Sequence, residues 1–73
     1  MYKGTYIYNG DEDTYCGISL RKGSVYWLDI STKAQTDFCK HVAADLFVMI
    51  NTSEGSAECP YTYDGFNSVW VPI

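Results

Sequence analysis

The sequence predicts a mainly β protein: a small five-stranded antiparallel barrel, one domain over residues 1–73, with one short helix or long loop around residues 32–44. Three observations support this class. The stretch from Leu20 to Ile30 turns at Arg21-Lys22-Gly23 into a run dense in β-branched and aromatic residues, the composition that suits a pleated, half-buried strand. Turn signals at Asn9-Gly10, Asn51 to Gly55 and Asp64-Gly65 separate strand-like runs, as in all-β folds. The chain has 73 residues, of which 47% are hydrophobic and 16% aromatic; it is too short for a second domain and too apolar for disorder.

Tyr2 to Tyr8 alternates Tyr2, Gly4, Tyr6 and Tyr8 against Lys3, Thr5 and Ile7, the period of two that marks a strand. Asn9-Gly10 ends it, because both residues tolerate positive φ. Thr14 to Leu20 reads as a short extended link broken at Gly17. Ser24 to Ile30 is the second clear strand, with Val25, Trp27 and Asp29 on one face and Tyr26, Leu28 and Ile30 on the other. Two largely apolar faces suit a strand curled into a barrel. Trp27 is expected exposed near a rim, and Tyr26 inside.

Between Ser31 and Asp45 the pattern changes. Ser31 and Thr36 are helix-capping types, and Phe38, His41 and Val42 fall at helical spacing, so a short helix or a long irregular loop fits. Leu46 to Ile50 is a continuous β-type run, closed by the turn Asn51 to Gly55. Ser56 to Tyr63 reads as a further strand, in which Pro60 implies an edge position, a bulge or a break. Ser68 to Ile73 is the last strand, with Val69, Val71 and Ile73 on one face and Trp70 and Pro72 on the other.

The lead-in Leu20-x-x-Gly23-x-Val25-Tyr26, the hairpin of Leu46–Ile50 with Ser56–Tyr63 and the closing Val69-Trp70-Val71 together resemble the small Src-homology-3-like barrels encoded in many bacteriophage genomes. In that family a Leu-x-x-Gly-x-x-Tyr stretch precedes the second strand, and an aromatic-rich hairpin leads to a short 3₁₀ turn and a last strand. Ala34 to Ala44 departs from the family by being longer than its usual turn. The resemblance implies binding rather than catalysis, and it carries no ligand onto named positions of this chain.

Five Lys and Arg against nine Asp and Glu give a net charge of −4. Only Arg21 and Lys22 adjoin, so direct binding to nucleic acid is not expected, since that affinity needs clustered basic residues. An acidic surface favours basic partners, including proteins that themselves bind nucleic acid. The longest apolar run, Leu46 to Ile50, falls far below the roughly 18 residues of a membrane span. Met1 to Thr5 shows no apolar signal region, which places the expected location in the cytoplasm, that of the host cell if the gene is phage-borne. An odd set of cysteines, Cys16, Cys39 and Cys59, reads as reduced, buried thiols.

No catalytic pattern emerges. Cys39-x-His41 with Cys16 and Cys59 supplies the donor atoms of a zinc site, but the paired C-x₂-C knuckles that bring two ligands from one turn are absent. Cys39 and His41 lack a recognisable orienting acid or oxyanion donor. Asp11-Glu12-Asp13 lacks the glycine and distal glutamate of a calcium loop. Glycine-rich phosphate motifs and the G-x-S-x-G elbow are missing. The expectation is therefore a protein that is not an enzyme, with no metal and no cofactor.

Recognition remains. Seven tyrosines, three phenylalanines and two tryptophans exceed what so small a core needs, since each buried ring removes roughly 150–250 Å² from water. Tyr6, Tyr8, Trp27, Tyr61, Tyr63 and Trp70 are the candidate aromatic contacts. The pairs Tyr6/Tyr8 and Tyr61/Tyr63 would each share a strand face and could line a groove for a Pro-rich peptide. Asp11, Glu12, Asp13, Glu54, Glu58 and Asp64 are the candidate acidic contacts, imitating nucleic-acid phosphates. The function expected is a protein-binding module of phage or mobile-element origin. It would inhibit a host defence or nucleic-acid-handling protein in the manner of an anti-CRISPR, as a monomer or homodimer. The alternative is a minor virion assembly protein that associates with itself.

Overall fold

The computed structural model describes residues 2–15 and 17–73. Alternation in β1 (Tyr2–Tyr8) sends Tyr6 and Tyr8 into the core and leaves Thr5 and Ile7 on the opposite face. β1 pairs antiparallel with β4 (Val25–Ser31), placing Tyr6 opposite Tyr26 and Thr5 opposite Trp27. The apolar, partly β-branched run of β5 (Leu46–Thr52) turns back through Ser53 and Glu54 into β6 (Gly55–Tyr61), and the two form a hairpin. β7 (Trp70–Pro72) returns along the free side of β1. The result is a five-stranded antiparallel sheet in the order β6-β5-β4-β1-β7.

Its edge strands are β6 and β7, and each contains a proline, Pro60 and Pro72. Proline cannot donate to a ladder, so both edges are poor templates for strand addition. The edge position is one of those that Pro60 implied.

Three elements differ from the sequence reading, and at a fourth, one of its two alternatives is realised. Thr14 to Leu20 is not a simple link but a separate hairpin of β2 (Asp13–Tyr15) and β3 (Ile18–Leu20). It is held over the sheet because Ile18 and Leu20 are buried in the core, while the Arg21 amide donates to the Tyr26 hydroxyl at 2.9 Å. Residues 32–45 hold no helix, and the loop alternative is the one realised; Phe38, His41 and Val42 all face solvent. The helix lies instead at α1 (Tyr63–Val69). Thr62 caps it, its side chain accepting from the Gly65 amide at 3.0 Å, and Phe66 is its buried residue. A capping threonine and an acid in the first turn outweigh the β character of Tyr61-Thr62-Tyr63, so Tyr63 leaves the strand. The last strand is accordingly shortened to Trp70–Pro72.

The core lies on the inner face of the sheet. Leu28, Val48, Ile50 and Trp70 are essentially inaccessible there, and full burial of an aliphatic side chain contributes about 1.5–3 kcal/mol. Rings lock this side together. Phe66 meets Tyr6 and Tyr61 edge to face at 5.6 and 5.9 Å, and Trp70 meets Tyr8 and Tyr26 at 5.0 and 5.8 Å. Gly23, at φ +87°, supplies the left-handed turn into β4, and its amide closes on the Tyr8 carbonyl at 2.7 Å.

Candidate functional site

The outer face of the sheet carries the largest group of exposed apolar side chains. Register makes it legible. Ile7 stands opposite Val25 on one side and Val71 on the other, and Thr5 stands opposite Trp27, which in turn faces Asn51. Side chains directly opposite one another are roughly 4.5–5.5 Å apart, so Val71, Ile7 and Val25 form one row and Trp27 begins the next. Trp27 is 46% exposed. Val25, Val71 and Ile73 are exposed as well, and the Ile73 amide donates to the Thr5 carbonyl at 3.3 Å. Trp27 is thus where the alternation of β4 put it, with Tyr26 packed against the core.

One acid shares this face, and others gather at the β2–β3 hairpin. Asp29 is two residues beyond Trp27 on the same face of β4. Glu54 lies in the turn that follows Asn51, and its Oε1 accepts from the Ser19 amide at 3.1 Å. Ser19 pairs with Thr14, whose own amide donates to Asp13 Oδ1 at 2.8 Å. The β2–β3 hairpin therefore brings Asp13, with its neighbours Asp11 and Glu12, to the same end of the molecule as Glu54. A polar recess there is lined by Glu12, Asp13, Thr14, Ser19 and Arg21.

Four of the twelve candidate contacts are corrected. Tyr6, Tyr8 and Trp70 are buried core residues, because their strand faces point inward and their rings pack against one another and Phe66. Burial and the carboxylates of Asp13 and Asp11 push the Tyr8 hydroxyl above its ordinary range. Glu58 is 3% exposed. Its carboxylate accepts from the Gln35 amide (2.7 Å), the Thr36 amide (3.0 Å) and the Thr36 hydroxyl (2.6 Å), so it is spent on holding residues 32–45. Tyr61 is half-buried, while Tyr63 and Asp64 are exposed at the start of α1. Because Tyr63 belongs to the helix, the expected Tyr61/Tyr63 strand face does not form.

A second recess lies on the inner side, beneath α1. This pocket of about 290 Å³ is lined mainly by Tyr6, Leu46, Tyr63, Phe66, Trp70 and Pro72. Asp64 adjoins it in sequence, as does Asp45, whose Oδ2 accepts from the Tyr63 amide at 3.2 Å. Sequence reasoning found Trp27 and missed Val25, Ile7 and Val71 as its neighbours. Their signal was present as apolar residues on the faces opposite Tyr26, Tyr6 and Trp70, but that pattern equally describes a strand buried on both faces.

Cys39 is a buried free thiol, 3.7 Å from the Glu58 carbonyl oxygen, and burial pushes its pKa up, with Glu58 adding to the shift. A raised pKa disfavours the thiolate that nucleophilic chemistry needs. Cys59 packs partly buried against the core, and Cys16 lies outside the described residues. Among the described residues no group of three or more His, Cys, Asp or Glu is placed to hold a metal, and no helix is long and apolar enough to cross a membrane.

Compared with known proteins, the chain matches no family model, no curated sequence and no solved structure.

Proposed function

We propose that this chain is a non-enzymatic protein-binding module that seats a partner protein on the outer face of its sheet around Trp27. The observation that carries this reading is the half-exposed Trp27 beside the row Val71–Ile7–Val25. A contiguous apolar patch on so small a protein is the usual mark of a contact surface, and tryptophan is the residue most often found as an energetic anchor. Asp29 on the same strand face, Glu54 and Asp11 to Asp13 gathered where the β5–β6 turn meets the β2–β3 hairpin, and the net charge of −4 favour a basic partner. A protein that handles nucleic acid offers such a surface. In this reading the chain is a phage-borne or mobile-element inhibitor, and it occupies the nucleic-acid surface of a host defence protein as an anti-CRISPR does.

The fold we infer beneath this function is a Src-homology-3-like barrel. Support comes from the strand order β6-β5-β4-β1-β7, the hairpin inserted between β1 and β4 and the helical turn before the last strand. A hydrogen bond between side chains of the two edge strands, Trp70 and Tyr61, adds to it.

The experiment is affinity capture from bacterial lysate, with subsequent nucleic-acid-binding assays on any captured protein. Wild type, Trp27→Ala and the triple variant D11N/E12Q/D13N are compared at low salt and at about 0.5 M salt, where the Debye length falls to a few ångströms. The expected result is a basic, nucleic-acid-binding protein held by wild type, displaced by salt and competing with its nucleic acid. Trp27→Ala should weaken its binding by about 30-fold or more. Retention unchanged in Trp27→Ala, or no specific capture at all, overturns the proposal.

A further inference from the structure

The irregular segment between β4 and β5 is firmly anchored. Gln35 and Thr36 bind the Glu58 carboxylate, the Cys39 amide approaches Thr36 Oγ1 at 3.4 Å, and Cys39 itself is completely buried. These anchors lie on both sides of Phe38, which is 71% exposed. The ring is therefore held out into water from a fixed backbone, so little further ordering is needed for it to bind. Lys33, Lys40 and His41 lie exposed in the same segment, as does Asp37 beside the ring, so the tip is apolar with a formal charge of +1 (two Lys against one Asp) in an otherwise acidic protein.

The pocket beneath α1 is its complement. It is apolar and lined by rings, with Tyr63 exposed at its margin, and its volume of about 290 Å³ is enough to admit a phenyl ring. Asp45 and Asp64, both exposed, adjoin its lining residues Leu46 and Tyr63. Phe38 does not line the pocket of its own chain.

We propose that the chain associates head to tail, with Phe38 of one copy seated in the aromatic pocket of the next and Lys33 and Lys40 set against Asp45 and Asp64. This goes beyond the Trp27 surface and uses none of its residues. Tip and pocket are different surfaces, so the contact is heterologous. Each copy keeps one free tip and one free pocket, and association continues into chains or rings instead of stopping at a two-fold dimer. One aromatic anchor with two charge pairs makes a small interface, for which a Kd on the order of 0.1–1 mM is expected.

Sedimentation equilibrium of the full chain over roughly 0.05–2 mM tests this. The weight-average mass should rise well above the 8.3 kDa of one chain and fall back when salt is added. Phe38→Ala removes the tip, and Asn67→Trp, at an exposed residue lining the pocket, fills the hole; each should stay monomeric alone. Mixed, they should pair, because one supplies a pocket and the other a tip, and the mass should stop at a heterodimer. Asp64→Lys is a second pocket variant, expected to weaken association several-fold, with circular dichroism confirming the fold of each. A wild-type monomer across the whole range overturns the proposal, as does association that survives Phe38→Ala or a mixture that fails to pair.

Discussion

The indole Nε1 of Trp70 donates a hydrogen bond of 3.1 Å to the Tyr61 hydroxyl, joining side chains from β7 and β6, the two ends of the sheet order. Those strands are not paired with one another in the ladder, so this contact is a side-chain tie between the two ends of the sheet order. Trp70 is 1% exposed, and the Tyr61 hydroxyl is the acceptor its N–H reaches. Tyr61→Phe keeps the ring against Phe66 but strands the indole donor, and a buried unsatisfied group costs about 1–3 kcal/mol. Urea denaturation should show a loss in that range, with the tryptophan emission of the folded state altered and the denaturant slope unchanged.

Glu58 and Thr36 form the second tie. The carboxylate receives three donors from residues 35 and 36, and Cys39 packs behind it with Sγ 3.7 Å from the Glu58 carbonyl oxygen. Glu58→Ala frees two amides and a hydroxyl from a largely buried acceptor. Hydrogen bonds to a charged group contribute about 1.5–3 kcal/mol each and are not additive, so a loss of about 3 kcal/mol is expected. That is a large share of the roughly 5–10 kcal/mol available to so small a domain. Amide exchange should accelerate first in residues 35–39, ahead of β5 and β6.

These two ties explain which parts of the molecule the sequence disclosed. Alternation in Tyr2–Tyr8 and Ser24–Ile30 was sufficient to assign strands, and it put Trp27 outside because Tyr26, Leu28 and Ile30 are the stronger apolar set. Alternation could not say which side of β1 and β7 faces the core. Tyr6, Tyr8 and Trp70 have polar atoms that suit a surface as well as an interior, and only long-range partners decide. Glu58 looked like any other acid because its donors are more than 20 residues distant in the chain. The helix at Tyr63–Val69 was announced by Thr62 and Asp64, but Gly65 and the flanking tyrosines gave a competing turn-and-strand signal. Phe38, His41 and Val42 have helical spacing, yet Glu58 and Cys39 pin that segment in a form no local preference specifies.

Gly10 marks a close approach. A Cβ there would lie 2.7 Å from the Tyr8 hydroxyl oxygen and 2.8 Å from its ring carbon Cζ. The ring cannot retreat, since it packs on Trp70 at 5.0 Å and its hydroxyl donates to the Asp11 carbonyl at 2.6 Å. Gly10→Ala should therefore cost about 1–3 kcal/mol, as overpacking of a fixed core does. A lowered denaturation midpoint checks it, and a gain in stability would show that the turn from Asn9 to Asp11 yields more readily than the ring.

Alkaline pH should unfold the protein through its buried phenols. Burial raises the Tyr61 hydroxyl far above the ordinary value of 10.0, even though the hydrogen bond from Trp70 acts in the opposite direction. Burial and the nearby carboxylates raise Tyr8 as well. In the unfolded chain both phenols ionise near pH 10, whereas the folded state holds them neutral. The unfolded state therefore loses protons first, and the stability these groups contribute is intact below about pH 10 and falls as pH climbs toward their folded values. Absorbance of phenolate near 295 nm, followed alongside circular dichroism, should show the β signal intact up to about pH 10. A phenolate step at higher pH should then coincide with unfolding. In Tyr61→Phe the pH-dependent loss above pH 10 should be shallower, even though the variant is less stable at neutral pH. A single titration step with all phenols ionising near pH 10 and the β signal unchanged would show that these rings are not held in the dry core.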